Sequence, residues 1–369
     1  MAAVIERRVA KAVRTGYKKV RDMIPVETGN YPYVTARLKA KRALLIPDEM
    51  YAKMLQMQIP QIARLLGEGE YKQELLHLGA RMSGVDLIEA ATAENLARVF
   101  TQIIGFSEGH LKFMISQYLG RWDVRNVKTI LRGKLYGAST SEIIDDLIPA
   151  GSLGREFLEE LAAMDSVGTV FQALKGTIFE RALASIGKQP SELANLAEYE
   201  DALSQEYYQS LLDAIPPSTY GSKLFRRFVK QEIDFLNLKT LLRLWAQNVK
   251  LDREIFLDGG LDLARDDLDA MLELEKPALI DRLSEYSFYD EVADDLKTFP
   301  EAGVSRLTRK LEKYHMVHAA ENAHLYPLTV VPVLEYIVAK QREVQNVRII
   351  ARGKQSGLST DVIKELLVI

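Results

Sequence analysis

Ten residues, DVRNVKTILR from Asp123 to Arg132, come back twice further along the chain. They return as DFLNLKTLLR from Asp234 to Arg243 and as EVQNVRIIAR from Glu343 to Arg352. Asn126, Asn237 and Asn346 are thus about 110 residues apart, as are Arg132, Arg243 and Arg352. A long fixed period means that the fold is assembled from copies of one unit, and it has to be recognised before local structure is assigned. The first and third copies agree beyond the motif, where Arg132-Gly-Lys and Gly137-x-Ser-Thr match Arg352-Gly-Lys and Gly357-x-Ser-Thr. The chain reads as a triplicated unit.

Its 369 residues suit two to three compact units, which the repeat resolves as three, and 47% apolar residues are enough to give each a core. A net charge of −3 does not mark a nucleic-acid binder. The absence of cysteine excludes disulfides, thiolate metal ligands and thiol nucleophiles. The longest apolar run, Leu328 to Ala339, carries Pro332 and Glu335. A spanning helix needs about 20 mainly apolar residues, so the expectation is a soluble protein of the reducing cytoplasm.

Residues 1 to 24 hold seven Lys or Arg against two acids. Arg7, Lys11, Arg14, Lys18 and Arg21 form one stripe of a helix, with Val9, Val13, Tyr17, Val20 and Ile24 beside it. Two readings are open: a packed amphipathic helix with a solvated basic face, or contact with anionic lipid headgroups or an acidic partner. A transit peptide would carry more serine.

The rest reads as helix, since period-two alternation of β-branched residues is scarce. The stretch from Pro60 to Leu78 corresponds to stretches beginning at Val170 and Pro277. Further helices begin near Val85, Glu192 and Val304, and a long motif helix then closes each unit. Glycines mark the joins, at Pro149-AGSLG and Asp258-GGL, and are expected in left-handed turn or cap positions. The segment from Tyr33, YVTARLKAKRALLIPDEMYAKML, is a looser fourth echo of the motif helix and the residues after it. The expected divisions are 1–24, 25–137, 138–248 and 249–369.

Within the motif helix, Val127, Ile130 and Leu131 share a face, as do Leu238, Leu241 and Leu242, and Val347 and Ile350. Those positions are core. Asp123, Asp234 and Glu343 lie on the edge of the apolar stripe, where a carboxylate must be bonded or paired; bonding to a neighbouring helix end is expected. Asn126, Asn237 and Asn346 flank the stripe and are expected to bond between helices, because asparagine has little intrinsic preference for mid-helix. Lys128 and Arg132, Lys239 and Arg243, and Arg348 and Arg352 form basic pairs on the opposite face. They are either a solvated surface or a shared partner-facing one.

No GxxxxGK[ST] loop occurs and no GxGxxG follows a strand. His315, His318 and His324, with Glu312 and Glu321, step round a helix, so a metal site would need ligands from other helices too; a polar face is expected instead. Asp262, Asp266, Asp267 and Asp269, and Asp290, Asp294 and Asp295, suit helix starts better than a magnesium-diphosphate site. No catalytic residue, cofactor or metal is assigned.

Three units, each closed by [DE]xxN[VL][KR]xxxR, together with the opening YPYVTARLKAKRALL, resemble the C subunits of the archaeal and bacterial A/V-type ATP synthases. That family includes the d subunit of the eukaryotic vacuolar ATPase. The likeness spans nearly the whole chain, and is best at ARLKAKR and RNVKTILRGKLYG. It implies an all-α protein in which three repeated units stand in a pseudo-threefold, funnel-like arrangement. It also implies a non-catalytic rotor component, peripheral on the cytoplasmic side of the cell membrane. Such a protein docks the central shaft onto the proteolipid ring and passes torque between ATP chemistry and H+ or Na+ movement. Three units cannot match every copy in a larger ring, so the ring contact is expected to be fault-tolerant. Single charge reversals at Lys128, Arg243 or Arg352 should then weaken assembly modestly, and all three together should uncouple it. The other function class consistent with the residues is a helical-repeat scaffold for a soluble protein partner.

Overall fold

The computed structural model describes residues 28–189, 196–249, 255–300 and 303–369; the basic helix expected over residues 1–24 lies outside them. Among the described residues every regular element is a helix. The first eight are α1 (Tyr31–Arg42), α2 (Asp48–Gln56), α3 (Ile59–Gly67), α4 (Lys72–Leu78), α5 (Gly84–Phe106), α6 (Gly109–Leu119), α7 (Arg121–Tyr136) and α8 (Thr140–Asp145). Next come α9 (Arg155–Ala163), α10 (Val167–Ala173), α11 (Ile178–Ser185), α12 (Ala197–Ala214) and α13 (Tyr220–Gln247). The last six are α14 (Arg265–Leu272), α15 (Lys276–Leu283), α16 (Tyr289–Lys297), α17 (Val304–Leu325), α18 (Val331–Gln355) and α19 (Thr360–Leu366).

The order of lengths repeats. Three short helices precede one long one and then the motif helix, in α2 to α7, in α9 to α13 and in α14 to α18. Each stretch matched from Pro60, Val170 and Pro277 is a pair of short helices, α3–α4, α10–α11 and α15–α16. The motif helix is continuous over 28 residues in α13 and 25 in α18. In the first copy Gly120 divides it into α6 and α7.

Local chemistry sets the ends of these helices. Gly137, at φ 75, closes α7 through a bond from the Ala138 amide to the Gly133 carbonyl. After α18, Gly357 at φ 69 precedes the same bond, from the Leu358 amide to the Gly353 carbonyl. Only glycine takes that left-handed turn without steric cost. Ser139 then caps α8 by accepting from the Glu142 amide, and Ser359 caps α19 by accepting from the Val362 amide.

The described residues divide into two compact units. One is built on residues 100–226, and the other on Tyr31–Val99, the stretch from Arg227, and Asp258–Ile369. In the first, Tyr118 and Phe225 meet edge to face at 6.3 Å, Phe171 and Tyr199 do so at 5.1 Å, and the Tyr207 hydroxyl donates to the Tyr118 carbonyl at 2.7 Å. In the second, Tyr51, Met54, Ile62, Leu66 and Ile88 pack with Val347, Ile350 and Ile363 in one apolar cluster. Residues from α2 to α5 thus share a core with α18 and α19.

Candidate functional site

The three motif helices put equivalent residues into equivalent surroundings. Val127, Ile130, Leu131, Leu238, Leu241, Leu242, Val347 and Ile350 are all at most 1% exposed. Beside them Asp123, Asp234 and Glu343 are buried as well, and each carboxylate is surrounded by donors. Asp123 accepts from the Ser152 amide at 2.8 Å, the Ser152 hydroxyl at 2.7 Å and the Leu153 amide at 2.9 Å. Asp234 accepts from the amides of Leu261, Asp262 and Leu263 at 3.0, 2.9 and 3.2 Å. Glu343 accepts from the Ile46 amide at 2.6 Å, and from the Tyr71 hydroxyl and the Lys340 ammonium at 2.5 Å each.

Leu153, Leu263 and Ile46 hold the same place in their segments. The next residues, Gly154, Ala264 and Pro47, are the extended N-cap residues of α9, α14 and α2, with φ/ψ of −65/157°, −76/150° and −72/157°. Each motif acid therefore grips the backbone just ahead of a short helix. Burial pushes the Asp123 carboxyl up to about 6 against the pull of its Ser152 and Leu153 donors, and Asp234 likewise to about 6 against its three amides.

This grip corrects the reading of the join glycines. Gly154 has φ −65, and of Gly151, Gly154, Gly259 and Gly260 only Gly259, at φ 92, is left-handed. Gly151 and Gly260 are required by crowding instead: a Cβ on either would run into the carboxylate of Asp123 or Asp234. Asn126 donates to the Ile148 carbonyl at 2.7 Å and accepts from the Ile148 amide at 2.9 Å. Asn346 does the same with Val368, at 2.9 and 3.1 Å. Both thus bind the backbone after a short helix, and Asn237 is buried too.

The basic residues are mostly engaged by other helices of the same compact unit. Lys128 donates to the Glu200 carbonyl and the Ser204 hydroxyl, both at 2.9 Å, and its burial lowers its affinity for the proton. Arg132 grips the Glu200 carboxylate with two nitrogens, which raises its own pKa. Lys239 pairs with Glu312. Arg352 grips Glu89 at 2.7 and 2.5 Å, and Arg348 lies 3.7 Å from the same carboxylate. Arg243 is exposed, with no ion pair among the described residues.

Two of the clustered histidines pack against aromatic rings, and His318 also lies 3.4 Å from Glu321. His315 lies against Phe228 and Phe235 at 5.3 and 5.0 Å, and His318 stacks on Tyr314 at 5.3 Å. Among the described residues no cluster of three or more His, Asp or Glu is placed to hold a metal ion. Asp267 pairs with Arg282, and the buried Asp295 with Arg306 and Lys310.

Residues 34–366 match the family of ATP synthase (C/AC39) subunits. The chain belongs to that family. The C subunit of the A-type ATP synthase of Methanosarcina acetivorans is 39% identical over 346 residues, which are 93% of this chain and 94% of the relative. That of Methanococcoides burtonii is 37% identical over 345 residues, 93% and 95% of the two chains. That of Archaeoglobus fulgidus is 34% identical over 341 residues, 92% and 96%. Like other C subunits, this chain is a non-catalytic component and not an enzyme in its own right.

Sequence reasoning misses several residues that build the motif contacts of this C-subunit relative. Glu89, Glu200 and Glu312 receive the motif bases from other helices. Glu89 and Glu200 are single acids among many on long helices, and Glu312 is conspicuous only beside the histidines, not as a partner of Lys239. Gly133 and Gly353 are visible as a repeated Arg-Gly-Lys; a Cβ on either would strike Ile143 or Ile363.

Proposed function

We propose that this protein docks the central shaft of an A-type ATP synthase onto the membrane proteolipid ring, and carries torque between ATP chemistry and H+ or Na+ translocation. The similarity to A-type C subunits along more than nine-tenths of the chain carries this reading. The tied helices suit it physically. Every motif helix holds the backbone at the start of another helix through a buried carboxylate, so little movement is left at those joints.

In this reading residues 25–137, 138–248 and 249–369 are three repeated units about a pseudo-threefold, funnel-like opening that receives the shaft. The protein lies peripherally on the cytoplasmic side. No helix among the described residues is long and apolar enough to cross a membrane, which agrees with attachment through the ring.

Reconstitution with and without the chain tests the proposal. Vesicles carrying the complex without it should hydrolyse ATP without moving ions, and adding it back should restore movement in proportion to hydrolysis. Separately, the purified chain should bind the isolated ring in detergent, and the shaft proteins, without nucleotide. Ion pumping that is unaffected by omitting the chain would overturn the proposal and leave the scaffold for a soluble partner as the better account.

A further inference from the structure

Two contacts made by the motif helices follow a rule, and α18 obeys it with unexpected partners. The first is the carboxylate's grip on the amide two residues ahead of a short helix. Asp123 takes Leu153 ahead of α9, and Asp234 takes Leu263 ahead of α14. Both partners lie in the segment after the motif. The second is the ion pair from a motif base to a long helix. Arg132 pairs with Glu200 on α12, and Lys239 with Glu312 on α17, again in the next repeat.

The third motif turns back along the chain for both. Glu343 takes the Ile46 amide ahead of α2, and Arg352 takes Glu89 on α5. Ile46 stands where Leu153 and Leu263 stand, and Glu89 where Glu200 and Glu312 stand, in the order of helices. We propose that residues from Ile46 through α5 act toward α18 as its next repeat, and that Glu343, with Lys340 and Tyr71, is the clasp that holds them there.

The clasp has features the other two joints lack. Lys340 occupies the position of Gly120 and Gln231 in the other copies, three residues before the acid. Tyr71 sits at the N-cap of α4, where α11 and α16 have Thr177 and Phe288. Both side chains are at most 2% exposed, and the Lys340 ammonium lies 4.3 Å from the centre of the Tyr71 ring while also donating to its hydroxyl. Burial and the Glu343 carboxylate hold the Tyr71 hydroxyl far above its usual pKa, so it keeps its proton and donates. Asp123 and Asp234 are met by adjacent residues of one loop, which supply several donors together. Ile46 brings one amide, because the next residue is Pro47, and Lys340 and Tyr71 complete the set. A glutamate's extra methylene lets the carboxylate span all three.

Residue-resolved hydrogen exchange on the full chain tests the clasp. In the unmodified protein the Ile46 amide should be as protected as those of Leu153 and Leu263; exchange at the rate of an open loop would overturn the proposal. Glu343→Gln keeps an acceptor for Ile46 but removes its charge. Ile46 exchange should therefore speed by about tenfold, the difference between a bond to a charged and to a neutral group, and Asp48–Gln56 should loosen while Arg265–Leu272 stays protected. That variant leaves a buried lysine without its carboxylate and can unfold the unit. The double variant Lys340→Met/Glu343→Leu removes both charges, which commonly restores stability. If the cluster is a clasp, the double variant regains its unfolding midpoint while Ile46 and α2 stay open to exchange. Full protection of Ile46 in a folded double variant would show that the pair merely fills the core.

Discussion

A buried carboxylate facing only donors is costly to remove in proportion to what it leaves behind. Asp123→Ala would strand two amides and the Ser152 hydroxyl, and should lower unfolding stability by about 2–4 kcal/mol in urea titrations. Gly151→Ala should cost about 1–3 kcal/mol by pressing on the same carboxylate. Asp123 also predicts a pH dependence. Its carboxyl rises on folding from 3.8 to about 6, so the folded state binds the proton more tightly than the unfolded one. Its contribution is therefore complete below about pH 4 and is lost as pH rises through about 6. Over that range the stability of the wild type relative to Asp123→Asn should fall by about 3 kcal/mol, as read from paired melts; a constant difference would contradict the shift. Buried residues of this kind are the most legible part of the site. A charged or amide side chain on the margin of an apolar stripe announces that it needs a partner, and its threefold recurrence sets it apart from accident. Which backbone atoms it meets is not legible, because those atoms carry no side-chain signal.

At the level of elements, the periodic long helices can be read directly, whereas joints and breaks cannot. The division of the first motif helix at Gly120 escapes notice because glycine is tolerated inside a helix at modest cost, so one glycine does not by itself mark a boundary. The repeated Arg-Gly-Lys is explained by packing: Gly133 and Gly353 let α8 and α19 fold back until Ile143 and Ile363 lie against the helix backbone. Gly353→Ala should destabilise by about 1–3 kcal/mol, and Ile363→Val in the same chain should recover part of that loss. Thermal melts of the two variants measure it, and equal losses in both would place the strain elsewhere. The basic pairs show the limit of helical-wheel reasoning. Lys128 and Arg132 do share a face, but α12 brings Glu200 to them, and nothing local to the motif foretells which face a second helix will cover.

For the molecule as a whole, the tests of assembly have to respect those internal pairs. Arg243→Glu should leave the isolated chain within about 0.5 kcal/mol of wild type, since Arg243 is exposed and makes no ion pair among the described residues. Arg352→Glu should cost about 1 kcal/mol by setting a second carboxylate beside Glu89. Binding to the ring or the shaft is informative for Arg243→Glu directly, and for Arg352→Glu only after its own melt is known. If the proposed partner-facing role holds, Arg243→Glu weakens binding modestly without moving the melt; unchanged affinity removes Arg243 from the interface. The carboxylate grips carry one more implication, for how such chains diverge. Connecting segments ordinarily absorb insertions and deletions most freely. The stretches from Asp123 to Leu153 and from Asp234 to Leu263 are measured out by bonds at both ends, so one added residue beside the gripped amides would pull the donors off the acid. Aligned relatives should accordingly keep their gaps away from these seams and place them in turns that no carboxylate clamps.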